Sequence, residues 1–202
     1  MKTRPAVLWS EEEVRDRVHA LGGEIGKAFE GREIAVVGLM KSCLVFMADL
    51  IRAIPLDMTC HLLRASALKG EGIDPRTDIT YESPIPYAGR DVLILDDIVD
   101  TGITLNFLLD QIREHKPRTL KVCALIYKPG DRKVDVRPDW AAFTLDPPRD
   151  DEFLVGYGLD HAEAFRGLPY IGTIPRLANA VGGSRTNTLP PGGSGGKGPQ
   201  EA

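Results

Sequence analysis

The stretch Val92-Leu93-Ile94-Leu95-Asp96-Asp97-Ile98-Val99-Asp100-Thr101-Gly102-Ile103-Thr104 leaves few folds open to the chain. Four apolar residues in a row read as a strong strand. That strand ends in two acids. A third acid, with Thr-Gly-x-Thr, leads straight into a helix marked by Leu105, Leu108, Leu109 and Ile112 at helical spacing. In open α/β sheets, ligands bind outside the carboxyl ends of the strands. A turn into a helix presents unpaired N–H groups and the positive end of the dipole, which suits a phosphate. Gly102 lets the backbone approach closely, and Thr101 and Thr104 add hydroxyl donors. Asp96 and Asp97 lie where the vicinal hydroxyls of a sugar could donate to carboxylates. Beside a phosphorylated substrate the same pair could hold Mg²⁺, directly or through water. Acids after a strand also serve as ordinary helix caps, and Asp100 is placed to cap the helix at Gly102. The complete strand–acid–turn–helix unit weighs towards ligand chemistry, because motif plus context outweighs motif.

The rest of the chain supplies elements of the same kind. Ser10 and Glu13 form a capping box, and Val14, Val18, Leu21 and Ile25 follow at helical spacing, with Gly22 and Gly23 weakening that helix. Strands are expected at residues 33–38, 56–65, 91–95, 120–127, 140–145 and 153–155, with a short one at 171–174. A helix is expected over residues 42–52. Strands alternating with helices predict an α/β fold around a mostly parallel sheet. Residues 66–88 hold Gly70, Gly72, Pro75, Pro84 and Pro86 and read as one long loop. From Gly182 onward the chain is rich in Gly, Ser and Pro, too poor in apolar side chains to offset ordering entropy. The expected organisation is one domain over residues 1–178 and a disordered tail over 179–202.

Composition excludes several classes. A chain of 202 residues with 43% hydrophobic content suits one compact domain. The net charge of -4 advertises no nucleic-acid partner, so anions must be met by a local site. No run is long enough for a signal peptide or a membrane span. Cys43, Cys60 and Cys123 have neither disulfide nor zinc spacing. Cys60 and Cys123 read as small buried hydrophobes, and His19 and His115 as solvated helix residues. A cytoplasmic home is expected.

The strand–turn–helix unit closely resembles the motif of type I phosphoribosyltransferases that binds phosphoribosyl pyrophosphate (PRPP). The resemblance to the hypoxanthine branch of that family extends over roughly residues 34–174. Val37-Gly38-Leu39-Met40-Lys41 with Phe46-Met47-Ala48-Asp49-Leu50 resembles its pyrophosphate-loop region. Lys128-Pro129 with Arg132-Lys133-Val134 resembles its purine-binding strand end. Phe153-Leu154-Val155-Gly156-Tyr157-Gly158-Leu159-Asp160 and Phe165-Arg166 resemble its closing segment.

The resemblance implies a parallel sheet with a small hood and a flexible lid at residues 66–88. It implies Mg²⁺-dependent transfer of a phosphoribosyl group from PRPP to a 6-oxopurine, giving a nucleoside monophosphate and pyrophosphate for purine salvage. Asp100 becomes the catalytic proton partner of the purine ring. PRPP falls to Asp96, Asp97, Asp100, Thr101, Gly102, Ile103 and Thr104, with Lys41 and Arg166 at pyrophosphate. The purine falls to Lys128, whose ammonium donates to a 6-oxo group and disfavours adenine, and to Phe153, Leu154 and Asp160. Metal falls to Asp96, Asp97 and Asp160. A dimer or tetramer is implied, and the bond before Lys41 is often cis in the family. The chain departs from the family at two places. Ser42-Cys43 stands where a glycine and a small residue usually follow the loop lysine, and no Tyr follows Ser66 in the lid. That second departure motivates an alternative, a PRPP- or nucleotide-sensing regulator on the same fold.

Overall fold

The computed structural model describes residues 4–67, 77–81, 85–149 and 151–176. Nine strands and three helices follow one another as β1 (Ala6–Trp9), α1 (Glu11–Ala28), β2 (Ile34–Leu39), α2 (Leu44–Ala53), β3 (Met58–Ala67), β4 (Thr77–Tyr81), β5 (Asp91–Val99), α3 (Ile103–Glu114), β6 (Thr119–Tyr127), β7 (Trp140–Thr144), β8 (Glu152–Val155) and β9 (Ile171–Pro175) among the described residues. The main sheet has the order β4-β3-β2-β5-β6-β7. Its five strands from β3 to β7 are parallel, and β4 runs antiparallel on the β3 edge. A second, antiparallel sheet, β1-β9-β8, forms the hood.

Strand alternation divides the core. Val36, Leu93, Leu95, Cys123 and Leu125 face α1 and α2, while Ala35, Val37, Val92, Ile94, Val122 and Ala124 face α3. Both faces are covered, which is why these strands read as continuous apolar runs. The capping box at Ser10 opens α1 as expected. Gly22 serves a packing purpose there, since a Cβ on it would lie 2.5 Å from Ala53 Cβ. The helix gives up propensity to let α1 and α2 approach closely.

Several expectations need correction. The strand expected at 91–95 continues to Val99, so Asp96 and Asp97 sit on the strand itself. Residues 66–88 are not one open loop. Ala65, Ser66 and Ala67 of β3 pair with Ile79, Asp78 and Thr77 of β4, because β-branched and aromatic residues of Thr77–Tyr81 favour an edge strand. Tyr87 is buried against the α3 side. The rest of the expected lid, at 68–76 and 82–84, and the expected tail at 179–202 lie outside the described residues. Cys60 is exposed, contrary to expectation, whereas Cys43 and Cys123 are buried. Its half of β3 has β2 on one side only, since β4 pairs from Leu63 onward.

Asp91 anchors the start of β5. It is fully buried and accepts hydrogen bonds from Arg118 Nε at 3.1 Å and Thr119 Oγ1 at 2.8 Å. The Arg118 guanidinium, ahead of Thr119, holds the carboxyl below its ordinary range. Such a group stabilises the fold above its unfolded pKa, and that contribution disappears as pH falls through the folded one. Melting temperature should therefore fall as pH drops below about 4. Asp91→Asn should lower Tm at neutral pH and flatten that acid limb, both readable by circular dichroism.

Candidate active site

Strand order places the site before any side chain is considered. From β2 the chain crosses to β3 on one side, and from β5 it crosses to β6 on the other. The carboxyl ends of β2 and β5 therefore flank a topological switch point, where a crevice opens. A cavity of about 200 Å³ occupies it, lined by Met40 and Ser42 after β2 and by Asp96, Asp97, Asp100, Thr101, Gly102 and Thr104 at and after β5. The sequence motif and the loop around Lys41 thus meet across one space. Ile103 is half exposed at the head of α3.

The turn is built for close approach. Gly102 has φ +75°, and a Cβ there would stand 3.0 Å from Val134 Cγ2. It caps α3 with no side-chain hydrogen bond. The Asp100 carboxylate instead accepts the Thr101 N–H at 2.5 Å, so the expected alternative of Asp100 as helix cap is not met. The leading amides of α3 are left to whatever enters the cavity. Burial first, and then the charge of Asp97, pushes the Asp96 carboxyl up. The Asp97 N–H is donated to Asp96 Oδ1 at 3.0 Å.

A second cavity, of about 520 Å³, adjoins the first through Asp100 and Thr101 and is lined by Lys128, Gly130, Asp131, Arg132, Lys133 and Arg176. Its placement follows from the strand ends, since the Lys128 N–H is donated to Val99 O at 2.9 Å. The Lys128 ammonium pairs with Asp131. Asp100 therefore lines both cavities, between the turn into α3 and Lys128.

The hood brings the remaining residues. Arg166 Nη1 donates to Ser42 Oγ at 3.2 Å and to Gly158 O at 2.9 Å, and Arg166 Nη2 lies 2.8 Å from Asp160 Oδ1. Lys41 Nζ meets Glu163 Oε1 at 3.1 Å. The peptide bond Met40–Lys41 is cis. Ser42, a departure in sequence, is thus a partner of Arg166. Cys43 fills core space beside Gly38, where burial pushes its thiol up and leaves it inert. The Phe153 ring stacks on His161 at 4.3 Å and carries the Arg176 guanidinium at 4.6 Å. The neighbouring Leu154 is half-buried on β8. The purine face expected of Phe153 therefore already has contacts, and Arg176 also borders the cavity of Lys128. Sequence reasoning assigned no role to Glu163, His161 or Arg176. All three are exposed in the fold, so nothing in the local sequence sets them apart from ordinary surface residues.

The family model for the phosphoribosyl transferase domain matches residues 10–162. The chain belongs to the phosphoribosyltransferase family. It is 36% identical over 169 residues to the hypoxanthine-guanine phosphoribosyltransferase of Bacillus subtilis, covering 83% of this chain and 92% of that one. It is 38% identical over 173 residues to the hypoxanthine phosphoribosyltransferase of Haemophilus influenzae, covering 83% and 94%. The crystal structure of a hypoxanthine-guanine phosphoribosyltransferase from Bacillus anthracis superposes with a TM-score of 0.77 at 38% identity, covering 86% of this chain and 99% of that one. The two-sheet architecture is therefore that of type I phosphoribosyltransferases. No helix among the described residues is long and apolar enough to cross a membrane.

Proposed function

We propose that this phosphoribosyltransferase moves the 5-phosphoribosyl group of PRPP to a ring nitrogen of hypoxanthine or guanine, releasing pyrophosphate. The observation that carries the reading is the position of Asp100, shared by the cavity of the phosphate turn and the cavity of Lys128. The 5-phosphate docks on Thr101, Thr104 and the leading amides of α3. The ribose hydroxyls donate to Asp96 and Asp97. Pyrophosphate lies towards Lys41 and Arg166, and the base lies towards Lys128, Phe153 and Leu154. As the bond to pyrophosphate breaks, the sugar carbon gains positive charge, and the fixed carboxylates around it offset that charge without reorganising. The base nitrogen attacks the sugar carbon as the bond to pyrophosphate breaks, and the Asp100 carboxylate takes up the proton that the purine ring gives up.

The donor set also fits a hard cation. Asp96 and Asp97 would offer carboxylate oxygens to a Mg²⁺ beside the sugar, and Asp160, whose oxygens meet the Arg166 guanidinium and the Glu163 N–H, would meet a second Mg²⁺ with pyrophosphate. Such an ion supplies charge neutralisation for the departing pyrophosphate.

Lys128 gives the reading its specificity. Its side chain is 13% exposed and offers donors only. It favours a 6-oxo group over a 6-amino group. Turnover with PRPP and Mg²⁺ should be fast with hypoxanthine or guanine and at least about a hundredfold slower with adenine. Lys128→Ala should narrow that gap mainly by lowering kcat/KM for the 6-oxopurines. Equal rates with adenine would overturn the assignment.

A further inference from the structure

The two cations assigned to pyrophosphate are both held by one carboxylate of the protein. Glu163 Oε1 lies 3.1 Å from Lys41 Nζ, and Glu163 Oε2 lies 3.1 Å from Arg166 Nη2 and 3.4 Å from Arg166 Nε. One oxygen serves each cation, which is the arrangement an oxyanion ligand would adopt on them. We propose that Glu163 is a latch for the pyrophosphate site, holding Lys41 and Arg166 in the free enzyme and competing with pyrophosphate for them. The inference rests on the functional reading above, which places pyrophosphate at these residues.

The geometry favours a latch over an ordinary surface pair. Lys41 lies on the loop after β2, and Glu163 and Arg166 lie on the hood, so the contact bridges the two sheets of the molecule. The loop that carries Glu163 is tightly made. Its N–H is donated to Asp160 Oδ2 at 2.8 Å, and His161 and Ala164 exchange backbone hydrogen bonds. Ala162, Glu163 and Phe165 have φ of 51°, 60° and 75°, left-handed values that non-glycine residues adopt rarely. This backbone presents the carboxylate at a fixed place. Yet the Glu163 side chain is 67% exposed, so nothing buries it there.

The two cations differ in how they would respond. Arg166 keeps Ser42 Oγ, Gly158 O and Asp160 when Glu163 leaves. It stays aimed at the site. Among the described residues Lys41 has Glu163 as its ion-pair partner, so it is the side chain the latch orders. Charged oxygens of pyrophosphate outnumber those of one carboxylate, so the ligand displaces Glu163. Exposed ion pairs are individually weak, so the competition shifts affinity by a small factor, about three- to tenfold. In the forward reaction pyrophosphate is the leaving product. A carboxylate that returns to its cations speeds that release at the cost of weaker PRPP binding.

The test is calorimetric titration of inorganic pyrophosphate, at fixed Mg²⁺, into wild type, Glu163→Gln and Glu163→Ala. Steady-state rates with PRPP and hypoxanthine run alongside. The latch predicts about three- to tenfold tighter pyrophosphate binding in both variants. It also predicts a lower KM for PRPP and stronger product inhibition by pyrophosphate, with a gain that shrinks in high salt. The gain should shrink again when Lys41→Met is added. Unchanged or weaker binding in both variants overturns the latch and leaves Glu163 a brace for its loop. Absence of pyrophosphate binding in all three proteins also overturns it. Tighter binding in the variants, with no turnover of any purine by wild type, upholds the latch on an anion site and removes the catalytic reading.

Discussion

Asp100→Asn is expected to lower kcat by roughly a hundredfold to ten-thousandfold, the range typical of a lost general acid–base group. PRPP binding should change little. The reason lies in what Asp100 does and does not hold. Its carboxylate accepts one hydrogen bond, from the Thr101 N–H at 2.5 Å, and an asparagine carbonyl oxygen can accept the same bond. The turn therefore keeps its shape, Gly102 keeps its left-handed φ, and the phosphate seat survives. What disappears is the negative charge beside the cavity of Lys128, and with it, on the proposed reading, the acceptor for the proton that the purine ring gives up. The variant should show a depressed kcat with KM for PRPP within a few-fold of wild type. A parallel rise in KM for PRPP would mean that Asp100 acts chiefly on the sugar. Near-wild-type kcat would remove Asp100 from proton transfer altogether.

The same contrast between local and long-range information explains how much of this molecule could be read from its sequence. Strand β5 and helix α3 were legible because their signal is local. Both faces of β5 are covered along Val92–Leu95, so that part of the strand is uniformly apolar, while Leu105, Leu108, Leu109 and Ile112 repeat on one face of α3. The phosphate turn lies between them in sequence as in space. Three things were not legible. Strand β1 is four residues long and gains its pairing from β9, at the other end of the domain. Strand β4 is short and sits at an edge, in a stretch dominated by glycine and proline signals. Glu163 lies 122 residues from Lys41, and no local pattern marks a surface glutamate as the partner of a distant loop lysine. Gly22 shows the reverse error. It reads as a weakness of α1 when it is the condition for packing against Ala53.

Gly158→Ala should be among the most damaging single-methyl changes available, and its damage should reach the pyrophosphate loop. Gly158 has φ +95°, where an L side chain is strained. An added Cβ would also stand 2.3 Å from Ser42 O, a backbone atom with no rotamer by which to escape. Strain and overlap together should cost about 2–4 kcal/mol of stability. The position explains why function should suffer beyond that loss. Gly158 exchanges two hydrogen bonds with Arg166, accepting from Nη1 at 2.9 Å and donating its N–H to Arg166 O at 2.9 Å. Arg166 in turn donates to Ser42 Oγ. Relieving the overlap means moving either the hood segment that aims Arg166 or the segment that carries Lys41 and Ser42. Either movement separates the two cations proposed to meet pyrophosphate, so KM for PRPP should rise at least about tenfold, the factor that 1.4 kcal/mol of lost binding gives. Gly167→Ala is the control, because a Cβ there meets nothing within 4 Å. It should leave Tm and KM as they are. Thermal melts and PRPP saturation curves on the two variants distinguish a site that depends on this close approach from one that merely tolerates it. A Gly158→Ala protein with unchanged KM would mean that hood and loop act independently.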